Sequence, residues 1–431
     1  MKRHVYRLLP KSRIGRSIAV LMSGTAVAQA MTAVSMPIVT RLYTPEMIGV
    51  ISVYLSFFNF WLTLLTWRYE SALLIAEDEQ ESHHIFRLGA ILALITALLA
   101  IPVLSGLQYT GTLGFEVLPP WAPLVLFMSL LGYGWFMLYR CWLLRLQEVR
   151  IITMSTIARA GANAGARIAL GGLSFGMYGL FIAEVLGSWS ALGAVRKKTK
   201  KLLKTPIPIW SLGSLKQAAI RYKKFAQYEM PSAVVNQMAI ALPVPIVGML
   251  YGASAAGWFG LARLLYAIPN GQIGKTAGDV FQMELGSLVR EGDYKKGEKL
   301  FYKFSIRLTC VGLVPLLLAI FLAPRFVPYI FGKDWSGMGD IVAHMAPWMF
   351  MSLVVGSMSR ALSVLQKQQW KLLYDASALS VVLVAFFLAR ENKLDLINFV
   401  DVLSSGMVLA YIVYFLVISL TIKKMSARSL K

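Results

Sequence analysis

At 431 residues, 57% of them apolar and 15% charged, the chain carries more apolar surface than a soluble core can bury, because ordinary globular chains run near 45–50% apolar and ~25% charged. The formal net charge of +22 comes without the basic arm or groove on a soluble domain that marks a nucleic-acid binder, and the two cysteines, Cys141 and Cys310, lie far apart in apolar runs, which excludes a disulfide framework or a thiolate metal site. With a mean hydropathy of +0.62, carried by runs long enough to cross a ~30 Å hydrocarbon layer, this is the composition of a polytopic membrane protein.

Uncharged stretches of helical length predict twelve spans, near 15–38, 46–67, 88–107, 121–144, 151–173, 176–195, 226–250, 254–275, 301–323, 338–362, 370–389 and 396–422. The basic start from Lys2 to Arg16 resembles the n-region of a signal peptide, but the apolar run behind it is too long for an h-region and reads as a retained first helix. At the first corner Arg41 stands just outside the membrane. Thr44 is placed to cap the second helix, Pro45 suits its first position, and Glu46 suits its positive end. His83-His84, among Glu77, Asp78, Glu79 and Glu81, lacks the ligand spacing of zinc motifs and reads as a solvated loop.

The fifth span carries charge where charge is costly. Arg159, Asn163 and Arg167 recur at helical spacing, and at ~100° per residue the two arginines stand roughly 80° apart and ~12 Å apart along the axis. A charged side chain at the bilayer centre costs at least ~2.5–3.5 kcal/mol, so this polar face must look into the bundle or a wet cavity. Gly161 and Gly165 between them predict close approach of another helix. Glu184 in the sixth span is the obvious counter-charge. A rise of ~1.5 Å per residue puts it about 4 Å from the depth of Arg159 and about 8 Å from that of Arg167, too far to neutralise both fully. Arg263, in the eighth span, has no acid in its own span, and Arg307, two turns from the end of the ninth, is expected to snorkel.

Lysine and arginine stay on the cytoplasmic side, and 34 of the 43 fall on the side of the N-terminus against 5 on the other, the remaining four being Arg159, Arg167, Arg263 and Arg307. Both termini are therefore expected in the cytoplasm. Residues 196–224 hold ten basic residues, no acidic ones, and Pro206 and Pro208; they read as a cytoplasmic linker between halves 1–195 and 225–431, with any attraction to anionic lipid secondary to topology. The halves repeat. Pro37-Ile38-Val39-Thr40-Arg41-Leu42-Tyr43 with Gly49 matches Pro245-Ile246-Val247-Gly248-Met249-Leu250-Tyr251 with Gly257, six identities in thirteen positions at an offset of 208. The expected fold is all-α: two pseudo-symmetric six-helix bundles around a central cavity, related by an axis along the membrane normal.

Gly24, Gln29, Pro37, the run Thr40-Arg41-Leu42-Tyr43-Thr44-Pro45-Glu46, Gly49, and Arg68-Tyr69-Glu70-Ser71-Ala72-Leu73 make the first half recognisable. The second half agrees, through Phe225, Tyr228, Pro231-Ser232, Asn236, Gly257, Ala262-Arg263-Leu264-Leu265, Pro269, Ile273-Gly274, Gly278 and Val280-Phe281. These motifs, within 15–85 and 222–293, resemble the polysaccharide-unit (Wzx-type, O-antigen) flippases of the multidrug/oligosaccharidyl-lipid/polysaccharide exporter superfamily. The chain departs from the family pattern after Leu73, where Leu74-Ile75-Ala76 replaces the usual proline.

The resemblance implies transfer of an undecaprenyl-pyrophosphate-linked oligosaccharide, such as an O-antigen or exopolysaccharide repeat unit, across the bacterial inner membrane by alternating access, beside a polysaccharide polymerase machinery. A cationic lumen suits a diphosphate, because guanidinium groups bind phosphate oxygens in pairs and stay charged. Arg159, Arg167, Arg263, Asn163 and Arg41 are the expected substrate contacts, with Glu184 as charge partner or coupling group. Tyr133, Trp135, Tyr139 and Trp142 of the fourth span are interface anchors or platforms for sugar rings. No phosphate-binding glycine-rich loop occurs, so neither direct ATP coupling nor a resident cofactor or metal is expected, and the coupling ion is left open. Two other classes stay in play. A membrane glycosyltransferase or polymerase would need a large outside loop, whereas the longest outside connections lie near 107–121 and 323–338; a small-molecule exporter of the same superfamily would need a lumen less hostile to cations.

Overall fold

Backbone N–H and C=O groups cannot go unpaired in hydrocarbon, so crossing segments must be helices or closed barrels. The computed structural model describes residues 13–202, 211–367 and 369–428, and among them helices are the only regular structure, with no strand. The helices of ten or more residues are α1 (Arg13–Leu42), α2 (Pro45–Leu64), α3 (Glu79–Thr110), α4 (Ala122–Arg145), α5 (Val149–Gly172), α6 (Met177–Leu202), α7 (Leu212–Arg221), α8 (Met230–Ala241), α9 (Pro243–Pro269), α10 (Lys275–Arg290), α11 (Tyr294–Phe331), α12 (Ser336–Met358), α13 (Gln369–Asn392) and α14 (Leu396–Arg428). The part of the basic start up to Ser12, together with Pro206 and Pro208, lies outside the described residues.

Each of the twelve expected spans falls on helical residues, the seventh on α8 with the first part of α9 and the eighth on the rest of α9 with the turn after it. Among the described residues ten stretches are long and apolar enough to cross a membrane, one of them the 66-residue run Phe225–Arg290. That run holds two spans, because Gly252 at φ 87° breaks α9 in its middle. α5 is the remaining span, less apolar because Arg159, Asn163 and Arg167 lie on it. The chain is an all-α integral membrane protein.

Several helices outrun the apolar stretches that announce them. α11 has 38 residues and α3 has 32, since helical hydrogen bonding continues through polar residues beyond the hydrocarbon. This corrects the loop expected at His83-His84: both lie inside α3, and His83 is buried, its ring edge-on to Trp142 with centroids 4.7 Å apart. Trp142 and Tyr139 likewise pack on Phe86 and serve the core. The corner before α2 follows expectation, with Thr44 Oγ1 accepting from the Met47 N–H at 3.4 Å.

The chain divides into two compact units, one made of residues up to Tyr43 and Val53–Gln237, the other of Thr44–Ser52 and Met238 onward. In the first unit the motif beginning at Arg68 fastens neighbouring segments. Arg68, in a left-handed backbone at φ 64°, donates from Nη2 to Glu229 Oε1 at 2.6 Å, and Tyr69 donates to the Ala219 carbonyl at 3.0 Å. In the second unit the start of α2 crosses α9 at backbone contact. A Cβ on Gly49 would lie 1.7 Å from the Ala253 carbonyl oxygen, and one on Gly257 would lie 2.1 Å from that of Pro45. Gly49 and Gly257 are counterparts in the repeat, so the offset of 208 marks two positions that meet each other. The tyrosines of the repeat also act alike: Tyr43 donates to the Arg167 carbonyl at 2.8 Å, and Tyr251 to that of Leu394 at 3.0 Å.

Candidate functional site

α5 presents Arg159, Asn163 and Arg167 on one face because residues four apart are neighbours on a helix. α6 lies against that face and is able to approach closely because Gly187 has no side chain; a Cβ there would sit 3.1 Å from Asn163 Cβ and 3.5 Å from the Arg159 carbonyl oxygen. The glycines singled out on α5 do less. Gly161 faces only Met31, and Gly165 faces open space.

Glu184, one turn before Gly187, is buried and collects the polar face. Its Oε1 accepts from Arg159 Nη2 at 3.0 Å, while its Oε2 accepts from Asn163 Nδ2 at 2.9 Å and lies 3.8 Å from Arg167 Nη2. Asn163 also donates to the Ala183 carbonyl at 3.2 Å. The single carboxylate thus reaches both arginines, closer to Arg159 as its depth suggested. Two guanidinium groups and one carboxylate leave the cluster at net +1, and the Nε of each arginine is buried without a hydrogen-bond partner among the described residues.

Aromatic residues complete the shell. The Arg159 guanidinium lies 4.3 Å from the centre of the Tyr133 ring on α4, a separation at which the ring face attracts a cation. Tyr43, at the end of α1, is held between Gly171 and Gly179, where added Cβ atoms would come within 2.8 Å of its ring and 2.7 Å of its hydroxyl. Tyr133 was legible as an aromatic of the fourth span but not as a partner of Arg159. Tyr43 was legible only as a motif residue, although its retention as Tyr251 in the repeat signalled a structural task.

The other sequence candidates stand apart from this cluster. Arg41 is exposed in the last turn of α1. Arg263 lies on α9 in the second unit, donates from Nη1 to the Ile240 carbonyl at 2.6 Å, and has no carboxylate within 4.0 Å among the described residues. Arg307 is exposed near the start of α11. Among the described residues no group of three or more His, Cys, Asp or Glu side chains is arranged to hold a metal ion.

Solved membrane transporters of the multidrug/oligosaccharidyl-lipid/polysaccharide (MOP) superfamily share this fold. The fold is similar to an inward-facing multidrug resistance MATE family transporter of that superfamily (TM-score 0.72, 15% identity, 93% of this chain and 96% of that one). It is also similar to a MOP superfamily transporter from Pyrococcus furiosus (TM-score 0.58, 15% identity, 95% and 96%). At that identity the likeness speaks for the fold, which in these proteins is two six-helix halves. Residues 38–340 match the family described as polysaccharide biosynthesis protein, and the chain belongs to that family. The resemblance to Wzx-type flippases read at the two corners stands with it. A curated relative, the succinoglycan biosynthesis transport protein ExoT of Rhizobium meliloti (strain 1021), is 25% identical over 323 residues, which is 73% of this chain and 61% of that protein.

Proposed function

We propose that this protein is a flippase that carries a polyprenyl-pyrophosphate-linked oligosaccharide across the bacterial inner membrane, exposing its site to the two sides in turn. The observation that carries the proposal is the net-cationic cluster of Arg159, Asn163, Arg167 and Glu184 within the membrane-spanning helices, which suits an anionic diphosphate head. The polyprenyl chain stays in lipid while the head crosses. Binding alone only biases the equilibrium between states, so net transfer draws on a gradient, the membrane potential or removal of product. The family match and a relative named as a transport protein support transport over the glycosyltransferase reading. The 34-to-5 asymmetry of basic residues supports cytoplasmic termini and a cytoplasmic segment at 196–224 joining halves 1–195 and 225–431.

The test is restoration of surface polysaccharide in a strain lacking its flippase, with membrane levels of the protein measured in parallel. The wild-type chain restores polymer. If neutral variants at Arg159 and Arg167 restore it equally well at equal expression, the cationic cluster is not the head site. The likeness to MATE transporters keeps a second reading, a small-molecule exporter. On that reading expression raises drug tolerance and leaves polysaccharide absent.

A further inference from the structure

α7 has one face docked and one face open. Its start is fixed by a reciprocal cap, in which Ser211 Oγ accepts from the Ser214 N–H at 3.1 Å and Ser214 Oγ accepts from the Ser211 N–H at 3.2 Å. Leu215, Ala218 and the following Tyr222 are buried, the last two against Ile85 and Trp142 at the neighbouring ends of α3 and α4. Arg221 pins the other end, pairing with Glu77 and, at 2.8 Å, with Glu81. The helix is therefore held at the depth where α3 and α4 leave the hydrocarbon.

The open face is both apolar and cationic. Leu212, Lys216 and Ile220 are spaced four apart, hence within about 80° of arc on a helix. Leu212 is 80% and Ile220 56% exposed, with Lys216 between them and Lys223 and Lys224 exposed just beyond. Residues 196–224 contain no acid, and Glu77 and Glu81, the acids that meet α7, are engaged by Arg221 at its other end. Leucine and isoleucine flanking lysine, on a helix held at headgroup depth, match a surface that is greasy beneath and negative above.

We propose that the open face of α7 binds anionic phospholipid headgroups of the leaflet beside it, with Leu212 and Ile220 entering the interface and Lys216, Lys223 and Lys224 meeting the phosphates. The contact goes beyond the proposed transport activity and does not depend on it. It would fix the approach of the chain into α8, since the described chain runs on from Arg221 to Met230 through the residues that Arg68 holds at Glu229.

The test uses the full chain in nanodiscs, where both faces of the bilayer reach solution and sidedness plays no part. Cys141 and Cys310 are changed to Ser, and Ile220→Cys is labelled with an environment-sensitive fluorophore. In discs containing phosphatidylglycerol the emission shifts to shorter wavelength and iodide quenching falls at least about two-fold relative to phosphatidylcholine discs. Salt near ~1 M, where the Debye length is ~3 Å, erases most of the difference. The triple variant Lys216→Gln, Lys223→Gln, Lys224→Gln loses the lipid response, and the corresponding Arg triple keeps it. Inorganic phosphate added to phosphatidylcholine discs has no effect. Equal emission and quenching in the two lipids, or a full response in the Gln triple, overturns the proposal. A response to inorganic phosphate alone would assign these lysines to a soluble anion and overturn it as well.

Discussion

Glu184→Gln keeps the size of the side chain and removes the one carboxylate that serves two arginines. At Glu184 the native oxygens receive Arg159 at 3.0 Å and Asn163 at 2.9 Å, with Arg167 at 3.8 Å, so both carboxylate oxygens face donors. An amide turns one of those oxygens into a donor. Either Arg159, or Asn163 together with Arg167, then faces an N–H, and two cations remain without a counter-charge. Stripping one partner from a buried ion pair costs about 3–5 kcal/mol. The Arg159 side chain is 32% exposed against 10% for Arg167, so water recovers part of its share and leaves a net loss of ~2–4 kcal/mol. For a domain of this size, ~2–4 °C per kcal/mol converts that loss to a melting temperature lower by roughly 5–15 °C. The assay is thermal unfolding of the purified protein in detergent, followed by the monodisperse fraction on size exclusion. Adding Arg167→Gln to Glu184→Gln relieves one of the two uncompensated charges and returns ~1–2 kcal/mol of coupling. A single variant that melts within about 1 °C of wild type, or a double variant that shows simple additivity, would refute the view that Glu184 is the hub of the cluster.

Arg167→Gln alone leaves Glu184 paired with Arg159 and takes the cluster from +1 to neutral. It should melt near the wild-type temperature yet restore polysaccharide roughly ten-fold less well, the loss expected of one charge-assisted contact made in the transition state, with Arg167→Lys intermediate. Arg263→Gln should likewise lower polysaccharide at unchanged protein levels, because the amide keeps a polar side chain but carries no charge. Gly257→Ala should fold poorly, read as loss of the monodisperse peak, because its Cβ would meet backbone at 2.1 Å that has no side-chain freedom to yield. Reporter fusions at residue 210 should read as cytoplasmic and those at 112 as periplasmic, and the opposite result at either site would sink the topology.

The hydrophobic slab made all twelve spans legible, because a run of some twenty uncharged residues has few other uses. It could not show where the helices end. Acidic neighbours make His83 look solvated, whereas Trp142 reaches it from the far end of another span. The same limit applies to the cluster. Spacing placed Arg159, Asn163 and Arg167 on one face, and axial depth brought Glu184 near. Depth ignores side-chain length, however, and a glutamate and an arginine extending toward each other cover the remaining distance. Gly187 escaped notice since its task, letting α6 approach α5, exists only once the two helices are paired. Arg263 looked like Arg167 in sequence, yet a carbonyl took the place of a carboxylate because no acid of the second unit is within reach among the described residues.

The uneven charge count bears on why the cluster exists. A buried ion pair is a poor source of stability, since well-packed apolar residues of similar volume often do as well or better. A cluster kept only to brace α5 against α6 would be expected to balance, one guanidinium to one carboxylate, with its donors used. Here the second guanidinium stands at 3.8 Å from an oxygen already taken by Asn163, and both Nε groups lack partners among the described residues. Such an arrangement holds two cations at fixed spacing with one positive charge left over. On the proposed function an arriving diphosphate would supply the missing charge, so its binding would be strongest where the protein is least satisfied alone. Glu184 then has a second role in addition to holding the arginines in place. By offsetting one of the two charges it keeps the cluster tolerable inside the membrane, and on the proposed function it would also limit how tightly the anion is held, which a carrier must do if it is to release its cargo on the other side.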